Sequence, residues 1–426
     1  MSPSPLRAFL AARYSAGFRS RSQIEAWQAA GMRRLRSRIM PRSPFYAPFA
    51  TRPMQDWPLM TKARLMEHFT GINTCGIHRD QALEVALRSE ESRDFSPMLG
   101  NIAVGLSTGT SGQRGLFLTS PRERALWAAV MCGRFWPAPL LSRQRIAFFL
   151  RANNALYESL SNPLMQFRFY DLLHPFEAHL AELQSQNPTV LIAPAQILGQ
   201  IAKAQQAGQI RIAPKQILSV AEVLSPDDSA GIETVFGKRP DQVYQCTEGV
   251  LGWTCRHGSI HLNERYIRFD RDVIDADSGA FCPVITDFTR HSLPILRYRL
   301  DDVLIPEPEP CPCGSACQRI ARIEGRADDI LWWPDAAGRP VMVPSDLIRQ
   351  AVAVLPVPVR DYRVIAGAER LEIWLDTAVP GIAGPAMEQS LTRLAARLGV
   401  KVPEMVLHHG LPPGPEAKRR RVLVRR

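Results

Sequence analysis

Residues 105–115 read GLSTGTSGQRG, four glycines and four Ser/Thr side chains in eleven positions. Glycine lets backbone N–H groups approach a guest closely and hydroxyls add donors, so a loop of this composition can curl around an anion, with phosphate the natural guest. Upstream, NIAVGL reads as a strand; downstream, PRERALWAAVMCGRF reads as a helix whose N-terminus would lend the loop its positive end. The loop is not a P-loop, because the GK[ST] ending is missing and Gln113 and Arg114 stand near the lysine's place. Alone, such a stretch is most often only a turn, so its surroundings decide.

Around it the texture is that of an α/β protein. The runs RIAFFL, TVLIAP and QILSVAEVL alternate with helix-compatible segments such as PAQILGQIAKAQQAG, which argues a sheet with substantial parallel pairing. Residues 1–95 are arginine-rich and helix-compatible, a lead-in to a large domain whose core covers 96–325. From 326 to 426 the order changes: YRVIAGAERLEIWLD suggests two strands across a short turn, GPAMEQSLTRLAARLG an amphipathic helix, and EMVLHHG another strand. That order suits a small α+β unit.

The chain has 426 residues, 46% hydrophobic and 22% charged, as expected of an ordinary globular protein. Neither a secretory signal nor a run of about 20 apolar residues is present, so a cytoplasmic protein without a membrane span is expected. The net charge of +11 is scattered, carried by 46 arginines and only six lysines, and no nucleic-acid reader motif accompanies it; no nucleic-acid partner is expected. Cys311, Cys313 and Cys317 crowd into CPCGSAC, which in a cytosolic chain suggests metal before disulfide. Tetrahedral zinc takes Cys and His from two short segments. CRHGSIHLNE supplies Cys255, His257 and His261, and CPCG supplies Cys311 and Cys313.

In the order loop, SVAEVL, YQCTEG, LRYRLDDV, EGRADDI and a near-terminal lysine, together with SPFYAPF and LMTKARL near the start, the chain resembles the adenylate-forming superfamily of acyl- and aryl-CoA synthetases. Within it the likeness is to the phenylacetate–CoA ligase branch, near the synthetases that adenylate a deazaflavin coenzyme. The resemblance implies a large adenylate-forming domain of sheets and flanking helices with a small, mobile C-terminal domain. It also implies an ATP-dependent, AMP-forming ligase that activates a carboxylic acid, aromatic or unsaturated, and transfers it to a thiol, that of coenzyme A or a carrier protein. The alternative is an enzyme that stops at the AMP conjugate or passes the acyl group to a carrier protein or an amine; a basic nucleic-acid-binding protein is the rival from another class. Oligomeric state is not legible, a homodimer standing as an open option.

Carried over by motif, Ser107, Thr108, Gly109, Thr110, Ser111 and Gly112 would embrace the β- and γ-phosphates of ATP. In many relatives a lysine follows the second glycine, and this chain lacks it. Glu222 and its backbone would lie against adenine, and Tyr244 would stack on it. Thr247 would bond the α-phosphate and Glu248 would hold Mg²⁺, a hard cation that prefers oxygen. Asp302 would grip both ribose hydroxyls, with Asp301 where relatives carry Arg or Gly. Arg326 would contact the nucleotide, Asp328 would be the hinge, and Lys418 would bridge the attacking carboxylate and the α-phosphate. Some relatives carry a Cys, a His and a Cys-x-Cys that match Cys255, His261, Cys311 and Cys313 as a structural zinc set, with His257 and Cys317 as spares. The substrate pocket is expected along residues 148–160, where Asn153, Asn154 and Tyr157 could read a ring substituent.

Overall fold

The computed structural model describes residues 4–15, 17–92, 97–107, 114–137, 142–150, 164–327, 330–367, 370–412 and 422–424. The short apolar runs build a twelve-stranded sheet. Its parallel half runs Met165–Asp171, Gln144–Leu150, Val190–Ala193, Gln216–Ser219 and Asp241–Cys246. These strands are apolar on both sides because both faces are covered. Ala147, Phe149 and Leu191 pack toward Leu198 and Ile201 of helix Ala195–Gln206, while Ile146, Val190 and Leu218 pack on the opposite side. All five strands point the same way, so their carboxyl ends share one edge, where open α/β sheets bind ligands.

The sheet then turns antiparallel. Gly249–Thr254 returns beside Asp241–Cys246, followed by Ile260–Leu262, Arg319–Arg326, Asp302–Glu307, Phe281–Asp287 and Ile267–Val273. The N-terminal helices Pro5–Tyr14, Lys62–Glu67 and Arg79–Ser92 contribute Ala8, Leu65, Ala82 and Ala86 to the same large core as Leu251, Phe281 and Leu304, and Met32 of helix Arg21–Arg34 packs against it. One staple between them is Arg297, in left-handed backbone at φ 45°, whose Nη1 donates to the carbonyls of Gln55 and Trp57 at 2.8 and 2.6 Å.

The expected strand, loop, helix order around residue 110 is corrected. Ile102–Leu106 pairs antiparallel with a second strand, Leu116–Thr119, and the helix begins only at Pro121. LFLT buries Leu116 and Leu118, so the chain pairs before it coils. Two paired strands thus flank the segment, and the helix start lies at the far end of a four-residue strand, about 13 Å from Gly115. That start is already satisfied by a capping box between Ser120 and Glu123.

In the C-terminal segment, Asp361–Ala366 and Arg370–Asp376 form a hairpin flanked in parallel by Val422–Val424 and Glu404–His409, with helix Pro380–Leu398 between the second and third of these strands in sequence. Its core, from Leu331 to Val422, shares no buried residue with the large core. The α/β fold with a smaller α+β unit is as expected. Among the described residues, no helix is long and apolar enough to cross a membrane.

Candidate nucleotide site and metal cluster

Thr247 and Glu248 occupy the tip between strands Asp241–Cys246 and Gly249–Thr254, with Cys246 facing Gly249. A register shift at Tyr244/Gln245 re-aims the strand just before the tip, a common device beside active sites. Thr247 Oγ1 donates to Glu248 Oε2 and Tyr298 OH to Oε1, each at 2.8 Å. Burial pushes the Glu248 carboxyl up, but these hydroxyls and the charge of Lys62 outweigh it and hold the group below the usual glutamate range. Glu248 is therefore an anion at neutral pH, with oxygens that suit a hard cation such as Mg²⁺.

Tyr244 OH donates to Asp302 Oδ2 at 2.8 Å, and Arg326 Nε lies 4.0 Å from Asp302 Oδ1. Asp302 opens one strand and faces Arg326, which ends its neighbour. Gly325 makes this register possible: at φ +112° it sits where side chains are strained, beside a bulge. Burial dominates at Asp302 and keeps its carboxyl above the ordinary aspartate range, despite Tyr244 and Arg326. It is a carboxylate short of donors. Arg326 Nη1 is buried without a partner, an unmet donor in the same place. A ligand carrying both hydroxyl donors and anionic oxygens would satisfy the pair.

Glu222 lies just past the carboxyl end of strand Gln216–Ser219. Ala221 takes φ 63° while Glu222 N donates to Val220 O at 2.8 Å, a strained γ-turn at the sheet edge. The Glu222 carboxylate accepts from Gln196 N at 3.0 Å, so it caps a helix start, and its backbone remains the part that a base could meet. Ser107 closes the phosphate-type loop at its base: its N donates to Gly115 O and its Oγ accepts from Gly115 N, both at 2.7 Å. Thr108, Gly109, Thr110, Ser111, Gly112, Asp328 and Lys418, and of the expected pocket Asn153, Asn154 and Tyr157, lie outside the described residues.

Three neighbours escaped the sequence reading. Tyr298, Lys62 and Arg290 line one cavity with Thr247 and Glu248. Tyr298 and Lys62 stand inside quoted motifs, LRYRLDD and LMTKARL, which was the available signal. Arg290 is placed by Glu123, the capping-box acid, whose Oε1 accepts from the N–H groups of His291 and Ser292 at 2.6 and 3.0 Å.

At the opposite end of the same strands, one group of donors converges among the described residues: Cys255, His261, Cys311 and Cys313, with ligand atoms within 4.8 Å of one another. Two turns build it, closed by Gly258 N to Cys255 O and by Gly314 N to Cys311 O at 2.7 and 2.9 Å. Cys255 Sγ and Cys311 Sγ are 3.6 Å apart, and Cys313 Sγ is 3.4 Å from His261 Nε2. A tetrahedral zinc with bonds of about 2.3 Å has edges of about 3.8 Å, so three sulfurs and a nitrogen at this spacing fit it. The Cys317 carbonyl, 3.0 Å from His261 Nδ1, accepts that proton and leaves Nε2 free to ligate. Against the cost of burial, the Cys313 N–H and hydrogen bonds with His261, Cys313 and Ser259 bring the Cys311 thiol down to about 6, toward the thiolate that a metal needs. His257 and Cys317 are not in the cluster.

No family model matches the chain. Phenylacetate-coenzyme A ligase of Thermus thermophilus is 31% identical over 146 residues, 33% of this chain and 29% of that ligase, so the chain matches less than a third of its curated relative's length. Among solved structures, 2-hydroxyisobutyryl-CoA ligase in the postadenylation state with R3-HIB-AMP aligns with a TM-score of 0.64 at 14% identity, over 96% of this chain and 91% of that one. The same ligase with 2-HIB-AMP and CoA in the thioesterification state aligns at 0.55 and 15% identity, over 95% and 90%. Across nearly its whole length, then, this chain has the fold of the adenylate-forming CoA ligases.

Proposed function

We propose that this protein is an ATP-dependent, AMP-forming ligase that activates a carboxylic acid as an acyl adenylate and passes it to a thiol, that of coenzyme A. The observation that carries the reading is the Tyr244–Asp302–Arg326 group, a buried carboxylate short of donors beside an arginine with an unmet one, at the sheet edge that also carries Thr247 and Glu248. Asp302 would accept the ribose hydroxyls and Arg326 would meet nucleotide oxygens through its fork of donors. Tyr244 would cover the base, Thr247 would bond the α-phosphate, and the backbone of residues 107–112 would enclose the outer phosphates. Glu248 would hold Mg²⁺, which neutralises phosphate charge and lets a carboxylate approach. Lys418 would face the α-phosphate during adenylation, and a turn of the segment from 326 to 426 about Asp328 would replace it for thiol transfer.

The likeness to a phenylacetate-coenzyme A ligase and to a 2-hydroxyisobutyryl-CoA ligase supports a small organic acid as substrate. An aromatic or unsaturated acid is the proposed class, bound along residues 148–160. Cys255, His261, Cys311 and Cys313 would hold a structural zinc that ties two turns together.

A panel of carboxylic acids scored for pyrophosphate release, with and without coenzyme A, tests the reading. Acid-dependent release with a CoA thioester as product is expected, and Lys418→Ala should lose the adenylation step. An AMP conjugate that persists in the presence of CoA would instead identify an enzyme that stops there or uses a carrier protein or amine. No release with any acid, together with no ATP binding, would overturn it.

A further inference from the structure

The loop of residues 105–115 ends Gln113, Arg114, Gly115 and has no lysine of its own. Arg114 does not replace it simply, since its Nε faces the loop's own backbone, 3.4 Å from Ser107 O. We propose that Lys62, from the N-terminal helical segment, supplies the cation for the outer phosphates of the nucleotide, with Arg290 beside it. The inference rests on the nucleotide site proposed above.

The fold brings Lys62 there by two long-range contacts. Met60 forms a bridge with Tyr298, its N donating to Arg297 O at 2.9 Å and its O accepting from Arg299 N at 2.8 Å. Two residues on, Lys62 lays its stem against Gly115: a Cβ on that glycine would lie 3.5 Å from Lys62 Cγ. The lysine thus crosses the base of the loop and enters the cavity that Thr247, Glu248, Tyr298 and Arg290 line. Half-buried, it has no ion pair within 4.0 Å among the described residues, although its charge reaches Glu248. Arg290 is buried, donates to Thr247 O and Leu118 O, and keeps Nε without a partner.

The charge count points the same way. Among the residues lining this cavity two are cations and one is an acid. Arg290 is already faced by the buried carboxylates of Glu123 and Asp287, so once a divalent cation occupies Glu248 it is Lys62 that is left in excess, and a polyphosphate tail is an anion that balances it. A lysine that served only to neutralise Glu248 would not need to lay its stem across Gly115.

Equilibrium binding of ATP·Mg²⁺ and of AMP to the full-length protein separates these roles. Lys62→Gln keeps most of the stem on Gly115 and removes the charge; it should weaken ATP at least tenfold, as expected for the loss of one charge-assisted contact, and leave AMP within about twofold. Lys62→Arg should recover part of the ATP affinity. Unchanged ATP affinity in Lys62→Gln overturns the inference, as does equal loss of ATP and AMP with a lowered melting temperature, which would mark a structural charge. If the wild-type protein binds ATP but releases no pyrophosphate with any acid, the ligase reading fails while the ATP/AMP contrast still decides the lysine. If it binds neither nucleotide, both fall.

Discussion

The strands Asp241–Cys246, Gly249–Thr254 and Arg319–Arg326 carry a different cluster at each end. One end holds Tyr244, Thr247, Glu248 and Arg326, charged, partly open and left with an unmet donor. The other, about six residues or 20 Å along the hairpin, holds Cys255 and His261 against Cys311 and Cys313, closed by turns and with donors already at metal spacing. In the proposed reading the first would be completed by a ligand from solution and the second by a single ion. The three strands run between the two ends, so a metal that fixed the sulfur cluster would also steady the register at the proposed nucleotide end.

The sharpest way to separate the two ends is to remove charge from the first. Asp302→Ala or Glu248→Ala should lower acid-dependent pyrophosphate release by about 10²-fold or more, with the melting temperature and any bound zinc kept; loss of zinc in either variant would join the ends more tightly than proposed. Next, the double change Cys311→Ser with Cys313→Ser should remove zinc, read by elemental analysis. It should lower the melting temperature by roughly 5 °C or more, and weaken nucleotide binding only as a consequence. A purified wild-type protein free of zinc and unaffected by a chelator would remove that end from the comparison.

Gly252, on the strand that joins the ends, offers an intermediate test. A Cβ there would meet His261 O at 2.6 Å, a backbone atom that cannot swing away. Gly252→Ala should cost about 1–3 kcal/mol in denaturant unfolding and disturb both ends together.

The smallest effect concerns pH. Burial, opposed by bonds from Thr289, raises the Asp287 carboxyl to about 6, behind Gly249 at the nucleotide end. A raised acid favours the folded state while protonated, so this contribution is present below about pH 4 and is lost as pH rises through about 6. Asp287→Asn should remove that loss and raise stability by about 1 kcal/mol at pH 7 to 8, measured by unfolding across the range. A profile identical to wild type would show that Asp287 does not titrate there.

Much was legible from short-range pattern. Short apolar runs between helix-compatible segments marked the parallel strands, and two short segments offered the Cys and His candidates, from which the resemblance picked Cys255, His261, Cys311 and Cys313. YQCTEG and LRYRLDDV flagged Tyr244 and Asp302, yet not that the two bond each other across 58 positions. The helix expected straight after the phosphate-type loop failed because LFLT pairs with the preceding strand, a choice made by burial of Leu116 and Leu118 rather than by local propensity.

What the sequence determined by itself was whatever the chain settles within a turn or a strand: the α/β pattern, the glycine-rich composition of the loop and the cysteine-bearing segments. Only the tertiary structure decided which charges meet. Lys62, Glu248, Arg290 and Tyr298 come together because Met60 pairs with Tyr298 and Glu123 anchors the loop at 291 and 292, contacts between segments far apart in sequence. Periodicity encodes which face of an element is buried, while the partner of each buried charge follows from packing between elements, where desolvation makes an unmatched charge costly.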